Sequence, residues 1–343
     1  LKDEVREADK VDAGKSRLIS ASCLEYVILW RKYFGAFTSA VQQTRISNGM
    51  ALGFKPILET EEMLRYFDTI EDGGFLAGDY SKFDSSQQPQ VIERLVNYMR
   101  GWLDPDGTDV RADAIRGALA KDLYSSVHLN GFDGEYFTAM KDTLYTWPVS
   151  MPSGHPATTV INCLYNLFAF AYCFIKLCPD DVSQYHNLTK PVVYGDDNIV
   201  RTKRTISHVF NQATIAEVMA SDLGLCYTNE TKDGVSGESR GIDDVSFLKR
   251  RFSRLVDGGM GMIIALESID KAICWTSKGV EFGQTLRNVL LELSTHPHSV
   301  WQEYVSQLKA CGARLDDGRV YTQDVDCQRQ FLLEARQINP YMD

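Results

Sequence analysis

Asp196 and Asp197 stand side by side in PVVYGDDNIV, residues 191–200. The apolar runs on either side, broken by Gly195, the two aspartates and Asn198, predict two short strands joined by a tight turn. Adjacent carboxylates at such a tip repel each other unless a cation neutralises them or one takes a proton. Hard divalent cations such as Mg²⁺ favour a few carboxylate oxygens and keep positions free for water and substrate phosphates. Two such ions can activate an attacking hydroxyl and stabilise the leaving oxygen of a phosphoryl transfer. That chemistry asks for a further carboxylate on a neighbouring strand, and Asp79 in FLAGDYSKFD ends one. Taken alone, the Asp-Asp pair is more readily an ordinary exposed turn.

The elements that must position these residues are legible in outline. GGFLAGDYSKFD, residues 73–84, reads as a buried strand leaving a Gly-Gly turn and running into a loop. Residues 23–37 are aromatic-rich and helical in spacing. That spacing resumes over 87–103 through Val91, Leu95, Tyr98, Met99 and Trp102. A turn at 104–109 leads to a helix at 111–126 and a hairpin around Asn130-Gly131 and Asp133-Gly134. After the loop WPVSMPSGHP come a long helix over 157–178 and the hairpin 191–201. A helix near 207–223, a strand at 225–228 and a strand turning basic in DDVSFLKRRF, 243–252, follow. From about 262 onward the pattern is mostly helical. Strands interleaved with helices, without a regular parallel series, predict an α+β fold. No Rossmann or P-loop glycine pattern is present, so a nucleotide needs another kind of site.

Bulk properties bound the reading. The 343 residues suffice for two or three structural units, and 44% hydrophobic with 24% charged residues is a globular composition. The net charge of −10 argues against a simple basic nucleic-acid-binding module, although a local basic channel is compatible with it. Eight scattered cysteines with no CxxC pair predict reduced thiols in a cytosolic protein. The longest apolar stretch, 163–178, is short and contains Asn166 and Lys176, so a buried helix is expected there and not a membrane span.

Several motifs then fall in a telling order. GDYSKFD, MPSGHPATTVIN and YGDD resemble, in order and rough spacing, the palm motifs of RNA-dependent RNA polymerases of picorna-like positive-strand RNA viruses. LKDEVREADKVDAGKSRLISAS resembles that family's basic fingers motif, and DDVSFLKRRF its hairpin at the palm–thumb junction. The resemblance covers residues 1 to about 252 by motif, and the remainder by length and helical character. It implies a right-hand polymerase: fingers from 1–33 and 125–150, palm from 34–124 and 151–252, and a helical thumb from 253–343.

The resemblance also implies roles. Asp79 and Asp196 are the principal ligands of two Mg²⁺ ions, with Asp197 assisting and Mn²⁺ able to substitute. Asp84 lies near the incoming ribose. Thr158 and Asn162, four apart and so on one helix face, hold Asp84 and read the 2′-OH. Ser153 and Gly154 form the loop preceding that helix, near the template and nascent pair. Lys10, Lys15 and Arg17 make a cationic wall for the triphosphate, while Lys2 and Arg6 hold RNA or the local fold. Lys232, in LGLCYTNETK, is the general acid toward pyrophosphate. Lys249 and Arg250 support the primer strand through its phosphates.

The expected partners are template and product RNA, NTPs, a protein primer and other viral replication proteins. The last of these would carry the chain to membrane-associated replication complexes in the host cytoplasm. The family's N-terminal fingers segment would come before Leu1, so a segment of a longer protein is expected. Residues 101–124 read as an insertion between the first two palm motifs, and His155-Pro156 as a stiffening of the loop. Two rivals differ in class: a reverse transcriptase, disfavoured by a 2′-OH reader, and a silent RNA-binding relative, disfavoured by the intact aspartates.

Overall fold

The computed structural model describes residues 8–14, 19–129, 144–146, 151–255, 258–275 and 279–312. In chain order the helices are α1 (Ala8–Asp12), α2 (Leu24–Gln43), α3 (Thr60–Asp68), α4 (Phe83–Ser86), α5 (Pro89–Leu103), α6 (Val110–Tyr124), α7 (Thr158–Leu177), α8 (Tyr185–Leu188), α9 (Gln212–Val218), α10 (Leu266–Cys274), α11 (Phe282–Leu293) and α12 (His298–Ala310). The strands are β1 (Gly73–Ser81), β2 (Val127–Leu129), β3 (Leu144–Thr146), β4 (Thr189–Tyr194), β5 (Asp197–Lys203), β6 (Cys226–Asn229), β7 (Ser246–Phe247), β8 (Arg250–Arg254) and β9 (Met260–Ile264). The described residues fall into two compact units, one within Leu1–Gly53 and Thr69–Arg240, the other within Phe54–Asp68 and Gly241–Asp343.

The first unit is built on an antiparallel sheet of order β4-β5-β1-β6. Its central strand β1 is buried almost throughout, so its sequence is a nearly continuous apolar run. Helix α2 buries Trp30, Phe34, Phe37 and Val41, a stripe at spacings of three and four. Pro89 starts α5, where its missing N–H costs nothing, and Ile92, Val96 and Met99 form the buried face. Helix α7 is long and apolar enough to span a membrane by length and composition. Its side chains nevertheless fill this core, Tyr165, Phe170 and Phe174 among them, as expected of a buried helix.

Residues 101–124, read as an insertion, are the end of α5, a short connection and α6. Asp109 caps α6 by accepting from the Ala112 N–H at 3.1 Å. Arg100 grips Asp113 with two bonds of 2.9 and 2.6 Å, tying α6 to α5. The helix expected near 207–223 begins only at Gln212, because Asn211 and Thr214 form a capping box there. It ends in a π turn, Met219–Leu223, before Gly224. The hairpin expected around Asn130 and Asp133 lies outside the described residues, although β2 and β3 on either side of it pair.

The second unit carries the three-stranded sheet β7-β8-β9 and helices α3 and α10 to α12. Its core gathers Ile269, Leu286, Val289, Leu290, Leu293 and Trp301. The basic stretch 243–252 is two short strands, not one, turning at Leu248 and Lys249, which take φ of 56° and 59°. By compactness residues 241–252 go with this unit. Strand β9 was not legible: five residues are too few for a period, and pairing with β8 decides the state.

Candidate active site

Gly195 and Asp196 make the two-residue turn between β4 and β5, closed by the pair Tyr194–Asp197. Gly195 takes φ of 62°, which glycine adopts without a Cβ penalty. Helix α7 holds the turn from below. The Gly195 N–H donates to Cys163 Sγ at 3.1 Å, and Asn166 Nδ2 donates to the carbonyls of Gly195 and Asp196 at 3.0 and 3.2 Å. Asn198 Nδ2 also donates to the Asp196 carbonyl, at 3.2 Å, and its Oδ1 accepts from the Tyr227 hydroxyl at 2.9 Å.

Asp79 lies near the end of β1, opposite Thr228 of β6. Its Oδ1 accepts from the Tyr80 N–H at 2.7 Å. Its Oδ2 meets Lys232 Nζ at 2.6 Å, the lysine side chain 55% exposed and the aspartate 16%. The loop after β6 aims that lysine. Asn229 and Thr231 bond the Asp233 carboxylate, the Asp233 N–H returns to Asn229, and Lys232 is held at φ of 64°.

The carboxyl of Asp196 is held above the usual carboxylate range. Desolvation is the main cause, although the residue as a whole is exposed at its turn, and the nearby charges of Asp79 and Asp84 add to it. Lys232 opposes the shift. The three aspartates therefore share one electrostatic neighbourhood in which negative charge outweighs the single lysine drawn to Asp79. Among the described residues no three His, Cys, Asp or Glu side chains form a closed metal cage. Two oxygen donors with open positions is nonetheless a donor set that suits Mg²⁺, which keeps waters and phosphate oxygens in its shell. Asp197 is half-buried at the start of β5.

Beside this pair sits a polar chain around Asp84. Asn162 Nδ2 donates to Asp84 Oδ1 at 2.7 Å, and the Ser153 hydroxyl donates to Asp84 Oδ2. Gln87 Nε2 donates to Asn162 Oδ1 at 2.8 Å. A carboxylate only accepts, so Asp84 fixes which way the Asn162 amide faces, and Asn162 in turn fixes Gln87. Gln87 is fully buried, and its Oε1 has no hydrogen-bond partner among the described residues. Thr158 departs from expectation. Its hydroxyl lies 3.0 Å from the Pro152 carbonyl and 2.8 Å from that of His155, so it closes the first turn of α7 and leaves Asp84 to Asn162.

The loop before α7 is anchored on both sides. The Met151 N–H donates to the Asp84 carbonyl at 2.7 Å, and the Ser20 N–H to the Ser153 carbonyl at 2.6 Å. Gly154 takes φ of 108°, and a Cβ there would stand 2.8 Å from the Ser20 carbonyl oxygen. His155 is buried between Tyr26 and Trp30. Its Nδ1 accepts from the Ala157 N–H at 3.0 Å, so the proton sits on Nε2 and is donated to the Tyr26 hydroxyl at 2.8 Å. Tyr26 passes its own proton to the Leu119 carbonyl. Burial holds the His155 imidazolium pKa down at about 3.

Of the basic residues, Lys10 lies on α1, whereas Lys2, Lys15 and Arg17 lie outside the described residues. In the second unit Lys249 is exposed at the β7–β8 turn. Arg250, expected to support the primer strand, is engaged within its own unit. Its guanidinium is taken up by Glu292 at 2.9 and 2.6 Å and by the Met262 carbonyl at 3.1 Å.

With this geometry in hand, comparison with known proteins is decisive. A profile described as viral RNA-dependent RNA polymerase matches residues 1–312. The chain belongs to that family. It is 31% identical to the replicase polyprotein of Drosophila C virus over 74% of this chain and 14% of the polyprotein. To the replicase polyprotein of acute bee paralysis virus it is 30% identical, over 97% of this chain and 18% of the relative. This member of the family thus spans under a fifth of the length of those two relatives. A Sicinivirus 3Dpol RNA-dependent RNA polymerase shares its fold, with a TM-score of 0.79 and 22% identity over 98% of this chain and 67% of that one. These likenesses give the reverse-transcriptase alternative no support.

Sequence reasoning missed Gln87, Cys163, Asn166, Asn198 and Tyr80. One signal was available: Asn166 continues the spacing of four from Thr158 and Asn162 along α7. The others become polar partners only through tertiary placement.

Proposed function

We propose that this chain carries out template-directed transfer of nucleotides from NTPs to an RNA 3′-OH. The observation that carries the proposal is the grouping of Asp79, Asp196 and the Asp84–Asn162 pair beside one turn of one sheet. Asp79 and Asp196, with Asp197 assisting, are the residues that would hold divalent metal, Mg²⁺ with Mn²⁺ able to replace it. When bound, the metal supplies Lewis-acid stabilisation for the attacking and leaving oxygens of a phosphoryl transfer.

The chain's own residues do the rest. Asp84, with both oxygens engaged by Asn162 and Ser153, is a preorganised acceptor for a ribose hydroxyl. A buried network built for that hydroxyl penalises a sugar lacking it. Lys232, paired with Asp79 in this structure, would exchange that carboxylate for the departing pyrophosphate and donate a proton to it. Lys10, Lys15 and Arg17 would line the triphosphate, with Ser153 and Gly154 beside the nascent pair. Lys2 and Lys249 would contact RNA phosphates.

We assign fingers to 1–33 and 125–150, palm to 34–124 and 151–252, and thumb to 253–343. The partners are then template and product RNA, NTPs, a protein primer and further replication proteins that bring the chain to membrane-associated complexes in the host cytoplasm. NTP incorporation on a primed RNA template with Mg²⁺ tests the reading. Activity in the wild-type chain that disappears in Asp196→Asn supports it, and equal activity in both sinks it.

A further inference from the structure

Asp79 and Asp196 must stand at a fixed separation to share metal, yet the sheet does not set it. The β1–β5 ladder ends at Gly78 opposite Asn198. Asp79 pairs to the other side, with Thr228, and Asp196 lies in the turn two residues beyond the last β1 partner on β5. Something outside the ladder has to fix the two carriers against each other.

We propose that Asn166 is the positioning residue that sets this separation, by bonding the carriers of both carboxylates at once. On one side its Nδ2 holds the Gly195 and Asp196 carbonyls at 3.0 and 3.2 Å. On the other its Oδ1 accepts from the Tyr80 hydroxyl at 3.0 Å. Tyr80 is the residue after Asp79, and its N–H orients the Asp79 carboxylate at 2.7 Å. The Tyr80 ring is itself fixed, stacked 4.4 Å from Phe83 and tilted 5.1 Å from Tyr227. Both Asn166 and Tyr80 are buried, so water does not compete for these bonds. Only a side chain with a donor at one end and an acceptor at the other can serve two carbonyls and a hydroxyl together, which is what an amide offers.

Neighbouring contacts do not duplicate this. Among the described residues Cys163 hydrogen-bonds the Gly195 N–H and the Val193 carbonyl, and Asn198 bonds its own turn and Tyr227. Neither bonds the Tyr80 hydroxyl; Asn198 meets Tyr80 only through the Tyr227 ring. Removing the Asn166 amide therefore breaks the side-chain link from the turn to Tyr80 while leaving the strand pairing intact. Partners of metal-binding side chains typically carry one to two orders of magnitude of metal affinity.

The inference rests on the metal reading above, and the test separates the two. Mn²⁺ binding to the full chain is titrated by the loss of the free-ion EPR signal, with circular dichroism confirming that each variant is folded. Asp79→Asn and Asp196→Asn are expected to abolish the site, and Asn166→Ala to weaken it about tenfold. Tyr80→Phe, which keeps the ring contacts and removes one hydroxyl, is expected to weaken binding by a smaller factor. The double variant should be no worse than Asn166→Ala alone, because both changes break the same link.

Should Asn166→Ala fail to fold, Tyr80→Phe decides. Wild-type Mn²⁺ affinity in folded Asn166→Ala, or in Tyr80→Phe when that variant decides, overturns the positioning role and leaves the metal reading standing. Unchanged binding in both aspartate variants overturns the metal reading and this inference with it.

Discussion

Acidification should weaken the first unit through one identifiable residue, His155. Its ring is buried, Nδ1 already accepts from the Ala157 N–H, and a second ring proton would point at that donor. The imidazolium pKa is accordingly about 3 in the folded chain, against about 6.5 for an unfolded histidine. Between these values the unfolded state binds the proton that the folded state refuses, so stability falls as pH drops through 6.5 and goes on falling toward 3. At pH 5 the loss relative to pH 8 is about 2 kcal/mol, since one pKa unit is worth about 1.4 kcal/mol and the unfolded group is about 1.5 units above that pH. Buried His296 and half-exposed His128 are shifted in the same direction and add to the acid sensitivity of the wild type. Carboxylates held low by their partners, such as Asp113 beside Arg100, lose their contribution only at more acid pH, as they approach protonation. The diagnostic quantity is thus the difference between wild type and His155→Gln in urea unfolding at pH 8 and pH 5. The variant is expected to be less stable at pH 8 but to lose about 2 kcal/mol less on acidification. Equal losses in the two proteins would refute the assignment of a neutral, Nε2-protonated His155.

The polar chain around Asp84 makes a graded prediction for sugar selection. Asn162→Ala should cut NTP over dNTP discrimination about ten- to a hundredfold, and Gln87→Leu, which only releases Asn162, on the order of fivefold. Competitive single-nucleotide incorporation reads both, and an unchanged ratio in Asn162→Ala counts against the reader. Lys232→Met should lower kcat for incorporation about a hundredfold with little change in the KM for NTP. A change confined to KM would make Lys232 a binding residue. Arg250→Ala leaves the Glu292 carboxylate without its bidentate partner and should destabilise the second unit by about 3 kcal/mol, seen as faster hydrogen exchange in α11. Lys249→Ala should instead lower RNA affinity and flatten its salt dependence, with exchange in α11 unaltered.

What could be read in the sequence was what is contiguous. Asp79 and Asp84 lie five residues apart, Asp196 and Asp197 are adjacent, and Asn162 follows a Ser-Gly loop by a fixed count, so short motifs carry them. Helix α5 was legible because its apolar spacing runs over 15 residues, and α7 because a long apolar stretch fills most of its 20. Thr158 and Asn162 share a helix face, but which of them reaches Asp84 depends on the loop. The Pro152 and His155 carbonyls take the Thr158 hydroxyl and leave Asn162. Arg250 looked available in FLKRRF, and only the fold of the second unit brings Glu292, 42 residues away, against it. Gln87 and Asn166 have the same cause: polar side chains whose burial, and hence whose importance, exists only after strands and helix pack.

The central claim is that Asp79 and Asp196 together support nucleotidyl transfer. It is tested most directly by single-nucleotide incorporation on a primed RNA template in Mg²⁺, comparing the wild-type chain, Asp79→Asn and Asp196→Asn, with RNA binding measured on the same samples. We expect incorporation by the wild type, background levels in both variants, and RNA affinity alike in all three. A wild-type rate in either variant would contradict the account.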